Sequence, residues 1–203
     1  MLEQGLLVIL SGPSGSGKDT VLTSLTAKDS GMKLSISMTT RPKRGNELDG
    51  GDYYFVTREY FEKKITEGSM LEYAQYAGNY YGTPKRPVDD MLARGETVIL
   101  KIEVQGAEKI RAIYPDAVSI FVMPPSVSVL EQRLRGRDSE DEEELRRRMF
   151  IANSEIRRAT EYDYIVVNDV LDRAVEDIET IIKAEKFKTK RNVKIISEVM
   201  NNV

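Results

Sequence analysis

Short apolar runs punctuate the chain at Leu6 to Leu10, Leu34 to Ser37, Thr97 to Ile102, Val118 to Met123 and Tyr164 to Val167. Their hydrophobicity is nearly continuous instead of alternating, as expected for strands buried on both faces. Amphipathic stretches with readable ends lie between them. Pro84 follows Thr83 and opens a helix that Gly95 closes, and Ser126 caps another after Pro124-Pro125. Near the C-terminus Leu171, Ala174, Val175, Ile178, Ile181 and Ile182 keep the spacing of a helix face packed on a core. This alternation predicts an α/β fold, a parallel sheet flanked by helices on both sides. Two segments depart from it. From about Asp52 to Gly82, the sequences Tyr53-Tyr54-Phe55, Leu71 to Tyr76 and Tyr80-Tyr81, with Gly78-Asn79 between the last two, predict a small lobe containing a hairpin. From Arg133 to Arg158 the chain reads as helix with extreme charge, which a solvated surface explains as well as a functional cluster does.

Composition narrows the chemistry. At 203 residues, 40% of them hydrophobic, the chain can build one compact core, so a single domain is expected. The formal net charge of -3 argues against a protein that coats nucleic acid, and any anion site must be local. The sequence contains neither Cys nor His, which excludes disulfides, thiol nucleophiles, Cys/His metal sites and imidazole bases together. Leu6 to Leu10 is too short to span a membrane and no cationic leader precedes it, so a cytoplasmic location without a membrane partner is expected. Homo-oligomerisation is left open.

Directly after the first apolar run comes Gly12-Pro13-Ser14-Gly15-Ser16-Gly17-Lys18, a G-x-x-x-x-G-K loop leading into a helix that begins near Lys18. Its glycines let successive backbone N–H groups turn inward around phosphate oxygens, and the helix N-terminus adds partial positive charge. A lysine at this position reaches the β- and γ-phosphates. The loop is therefore the expected cradle for the phosphates of a nucleotide, with Asp19 and Thr20 beside it and, as the motif ordinarily has it, Mg²⁺ as the accompanying cation. The motif ordinarily continues with a hydroxyl for that metal; here the residue is Asp19, and the metal's protein ligand stays unassigned.

A second constellation runs from Ser37 to Gly45. Arg41 and Arg44 could clamp another phosphate through their guanidinium forks, although such a pair is also common on plain surfaces. Tyr53, and then Glu72 to Thr83, add hydroxyls and a carboxylate that can accept paired hydrogen bonds from a nucleobase. Through GPSGSGK, TTRPKRGNE, GNYYG, VQGA and IVVND, the chain from Leu6 to about Ile182 resembles the guanylate kinases, P-loop nucleoside monophosphate kinases. The resemblance implies transfer of the γ-phosphoryl group of ATP to GMP, and to dGMP as a second acceptor. It also implies a P-loop NTPase-type core of five parallel strands over residues 1–36, 84–130 and 160–203. An α+β GMP-binding lobe would occupy about 37–83, and a helical lid about 131–159. By the same resemblance Ser37, Arg41, Arg44, Tyr53, Glu72, Tyr81 and Thr83 hold GMP, with Glu103 beside the guanine. Arg133, Arg137 and Arg148 face the phosphates and form the catalytic set with Lys18 and Arg41, while Asn168 lies near the adenine.

These roles make chemical sense. Guanine presents adjacent N1–H and N2–H₂ donors that one carboxylate, Glu72, can accept together, with Ser37 and Thr83 as donors to O6. An acceptor phosphate with a second pKa of about 6 is mostly anionic at neutral pH and needs no general base. One further departure is Lys101, where the resembled family usually carries a carboxylate. The rival expectation is a non-catalytic guanylate-kinase-like module that binds phosphopeptides. Its mark would be a degraded loop, and Gly12 to Lys18 is intact.

Overall fold

The structure is a computed structural model describing residues 5–27, 31–76, 78–136 and 142–201. Its main sheet has five strands in the order β2 (Met32–Leu34), β7 (Thr97–Lys101), β1 (Leu6–Ser11), β8 (Val118–Met123) and β9 (Tyr164–Val167). All pairings within it are parallel. The central strand shows why its run had to be continuous, since all of β1 is buried. Leu6, Val8 and Leu10 cluster with Val21, Leu22 and Leu25 of α1 (Lys18–Ala27) and with Val175 and Ile178 of α7 (Leu171–Lys186). Leu7 and Ile9 cluster instead with Val88 of α3 (Lys85–Ala93) and with Ala107 and Ile110 of α4 (Val104–Ile113). Each such side chain contributes roughly 1.5–3 kcal/mol by leaving water, so a polar substitution on either face of β1 strikes a core. The connection leaving β1 runs to one side of the sheet and that leaving β8 to the other, which opens a crevice beyond their C-terminal ends.

A second sheet has the order β4 (Tyr54–Phe55), β3 (Met38–Thr39), β6 (Asn79–Pro84) and β5 (Met70–Tyr76). Strands β5 and β6 form the expected hairpin, turning at Gly78 with φ 78°. Between β4 and β5 runs α2 (Arg58–Thr66), capped by the Thr57 hydroxyl and anchored by buried Phe61 stacked on Tyr80 at 5.1 Å. The run Leu34 to Ser37 does not form one strand. Parallel pairing ends with Ser35 N–H donating to the Ile99 carbonyl, and the Ser37 carbonyl already accepts from Tyr54 in the second sheet. The run is divided between the two sheets, and of its four residues only Ser35 is buried.

The charged segment divides into α5 (Val127–Arg135), capped by Ser126, and α6 (Glu142–Arg157). Leu130, Leu134, Leu145 and Ala152 give this pair its own small core. The described chain closes with α8 (Val193–Asn201), whose side chains are exposed.

Candidate active site

The G-x-x-x-x-G-K loop joins β1 to α1 at the crevice. Gly15 and Gly17 adopt φ of 85° and 89°, values that side chains disfavour. Each also sits against a neighbour: a Cβ on Gly15 would press on Leu130 and Leu134, and one on Gly17 would collide with the Asn168 amide. That amide donates to the Ser16 carbonyl at 2.8 Å, and Arg133 donates to the Asn168 carbonyl at 3.1 Å and to that of Ser16 at 3.4 Å. Arg148 reaches the Ser14 hydroxyl at 3.1 Å. The bland and functional readings of the charged segment therefore divide residue by residue. Arg135 pairs with Glu131 and Glu142, and Arg147 with Glu144, on the surface, where such pairs contribute little. Arg133 and Arg148 turn to the loop, while Arg137 lies outside the described residues.

Lys18 folds back on its own loop, donating to the Gly12 carbonyl and, at 3.1 Å, to that of Pro13. Burial pulls its ammonium below the usual range against the opposing fields of Glu103, Glu155 and Asp19. The Ser16 hydroxyl is buried and has no hydrogen-bond partner among the described residues. A cavity of about 350 Å³ lies beside the loop, lined by Gly15, Gly17, Thr20, Arg133, Asn168 and Asp169 among others.

In the second sheet, β5 and β6 bring Glu72 opposite Thr83, and the Thr83 hydroxyl donates to Glu72 Oε1 at 2.7 Å. Both are buried. The other carboxylate oxygen lies against α4, where a Cβ on Gly106 would stand 2.9 Å from Oε2. Burial pushes the Glu72 carboxyl up, only partly offset by the Thr83 hydrogen bond. Ser37 is half-buried at the approach to β3. Arg41 is buried and forks onto Glu47 at 2.7 and 2.8 Å, beneath the rings of Tyr53 and Phe55. Glu47 also accepts the Arg44 N–H at 2.8 Å, and its carboxyl falls to about 2, first through Arg41 and then through Arg44. Tyr53 and Tyr81 meet edge to face at 6.1 Å. The Arg44 side chain is exposed.

Between the two regions, Lys101 Nζ donates to Asp19 Oδ1 at 2.9 Å. Glu103 begins α4 and is exposed; its charge is felt by Lys18, by Glu72 and by Glu155 on α6. Among the described residues no group of three or more His, Cys, Asp or Glu is arranged to hold a metal ion. Magnesium carried on nucleotide phosphates needs only one or two protein oxygens, and Asp19 and Thr20 supply such oxygens at the loop. The donor set fits a nucleotide-borne ion.

A guanylate kinase family model matches residues 4–185. Guanylate kinase of Carboxydothermus hydrogenoformans is 46% identical over 198 residues, covering 97% of each chain. The chain belongs to the guanylate kinase family. That of Synechocystis is 49% identical over 183 residues, covering 90% of this chain and 96% of its own. A crystal structure of guanylate kinase from Anaplasma phagocytophilum superposes with TM-score 0.77 at 35% identity, covering 93% of this chain and 90% of that one.

For this member of the guanylate kinase family, the structure also brings in residues that the sequence did not single out. Glu47 sits within TTRPKRGNE but declares itself only by accepting both Arg41 and Arg44. Glu155 looks like one more surface acid of a charged helix, yet burial and then Glu103 raise its carboxyl to about 7. Gly106, inside VQGA, owes its place to the Glu72 carboxylate beside it. Thr83 differs from expectation in detail, since its single hydroxyl proton is directed to Glu72 and leaves none for O6 of a base.

Proposed function

We propose that the loop Gly12 to Lys18 holds ATP and the Glu72–Thr83 pair holds guanine, so that the chain transfers the γ-phosphoryl group of ATP to GMP, and also to dGMP. One observation carries this reading: Lys18 of the phosphate loop and buried Glu72 both lie within the field of Glu103, at the start of α4, so a donor and an acceptor site share one cleft. Glu72 accepts from guanine N1–H and N2–H₂ while Thr83 orients it, and Ser37 serves O6. Adenine would set an acceptor against Glu72 and leave both unpaired. Arg41, held in place by Glu47, joins Arg44, Tyr53 and Tyr81 around the acceptor phosphate through donors not taken by Glu47. Glu103 lies beside the base, and Asn168 with the cavity next to the loop accommodates the adenosine end of ATP.

The acceptor phosphate is already mostly anionic, which is why a chain without histidine can catalyse this reaction. Catalysis then consists of aligning donor and acceptor and placing positive charge where negative charge develops. Lys18, Arg133, Arg137 and Arg148 supply that charge from the protein. Lys18 must exchange its two carbonyl partners for phosphate oxygens, which are stronger acceptors for an ammonium. Asp19 and Thr20 would be the residues beside a Mg²⁺ ion carried in with ATP, an ion that would supply further charge neutralisation to the phosphates. An intact loop favours this reading over a phosphopeptide-binding module. A coupled assay of ADP formation, run with GMP, dGMP, AMP, UMP and CMP, tests it: turnover confined to GMP and dGMP is expected, and equal turnover with AMP overturns the assignment of Glu72. Among the described residues no helix is long and apolar enough to cross a membrane.

A further inference from the structure

Lys101 has no role in the mechanism above, yet it pairs with Asp19 at the phosphate loop. Asp19 lies in the first turn of α1, directly after Lys18. Lys101 ends β7 in register with Leu10 of β1, two residues before the loop begins at Gly12. Parallel pairing of these two strands therefore delivers the lysine to the foot of the loop from a distant part of the chain, and its ammonium meets Asp19 Oδ1 at 2.9 Å. The two side chains are 35% and 61% exposed, and a pair this accessible to water adds little to stability.

Its effect on the local field is another matter. A lone carboxylate in the first turn of a helix is favoured by the helix dipole. In this helix, however, the same turn faces the site for several phosphate charges, and Asp19 occupies the position from which the loop motif ordinarily offers Mg²⁺ a hydroxyl. Lys101 cancels the carboxylate's charge. It also stands close enough to Lys18 to oppose that lysine's protonation, and close enough to Tyr53 of the acceptor side to feel it. Burial acts against the Lys101 charge, and Asp19, Tyr53 and Glu103 together act for it.

We propose that Lys101 is a positioning residue for the donor nucleotide, which, held by Asp19, neutralises the carboxylate at the phosphate loop and so lowers the dependence of nucleotide binding on a divalent cation. The inference rests on the reading of the loop as an ATP site. The simpler account, in which Asp19 serves only the helix dipole and Lys101 rests against it without consequence, makes no such link to the cation.

Calorimetric titration of the full chain with ADP, once in EDTA and once in excess Mg²⁺, separates the two. For Lys101→Met an affinity loss on the order of tenfold is expected in EDTA, shrinking to about threefold or less in Mg²⁺, because the metal then masks the carboxylate. Asp19→Ser combined with Lys101→Met should restore metal-free affinity to within about threefold of the parent, and Lys101→Arg should retain it. Lys101→Gln takes the place of the Met variant if the latter's thermal unfolding shows a disrupted fold. Equal losses with and without Mg²⁺, no loss, or a loss that Asp19→Ser does not rescue would each overturn the proposal. Titration of the parent with GMP keeps the two readings apart. A parent that binds neither ADP nor GMP refutes the kinase reading, whereas one that binds both, with Lys101→Met showing the parent's metal dependence, refutes only the role of Lys101.

Discussion

Replacing Glu72 by Gln alters one oxygen at a buried polar point of the acceptor lobe. The glutamine keeps the shape of the side chain and an acceptor for the Thr83 hydroxyl, now 2.7 Å from Oε1. In place of the second oxygen, which Gly106 leaves room for, it presents an amide donor to the donors of guanine. Losing a hydrogen bond to a charged group costs about 1.5–3 kcal/mol, and burying a donor against a donor costs about 1–3 kcal/mol. The two losses overlap, so roughly 2–4 kcal/mol is expected in kcat/KM for GMP, a fall of about 30- to 1000-fold. Stability should move the other way. Burial holds the Glu72 carboxyl above its ordinary pKa, so the ionised side chain opposes folding at neutral pH and an uncharged replacement relieves that strain. Unchanged or higher melting temperature together with a lost GMP preference over AMP is the distinguishing signature. It is read from coupled assays with both nucleotides and from thermal unfolding at neutral pH. An unaltered GMP/AMP ratio would refute base recognition by Glu72. A parallel fall in activity and melting temperature would reduce the residue to a structural one.

Other substitutions probe the neighbouring parts. Lys18→Ala should abolish turnover while calorimetry still detects GMP binding, because donor and acceptor sites are built from different elements; near-normal turnover would remove Lys18 from the chemistry. Gly106→Ala should leave stability unchanged or raise it by up to about 1 kcal/mol, through helix propensity, while weakening GMP binding as the new Cβ displaces the Glu72 carboxylate. Full GMP affinity in that variant would show that the close approach is immaterial. Glu155 titrates near 7 in the folded chain, raised first by burial and then by Glu103 against Lys18 and Arg158, compared with 4.5 when unfolded. The folded state thus holds a proton that the unfolded chain releases, and stability falls as pH rises from 4.5 to 7. Discounted for its partial exposure, this amounts to about 1–2 kcal/mol. Glu155→Gln should flatten the fall in urea denaturation between pH 5 and 8, and an unchanged slope would contradict it.

The strands, the capped helices and the phosphate loop could be read along the chain because each is encoded over a few neighbouring residues. A buried parallel strand must be apolar on both faces, as β1 is, and a loop that wraps phosphate needs glycines at a set spacing before a helix. The acceptor-site residues could be named only through family resemblance, because no local spacing requires Glu72 to face a base. Tertiary structure decided which polar groups meet. It set Thr83 on Glu72 through the hairpin register, turned Arg133 to the loop but left Arg135 on the surface, and closed Glu47 on Arg41. It also joined the two residues that looked anomalous separately, Asp19 and Lys101, into one ion pair. Hydrophobic periodicity determines which face of an element is buried, but not which strand ends lie side by side. Lys101 meets Asp19 through that adjacency, which exists only once the sheet has formed in its strand order.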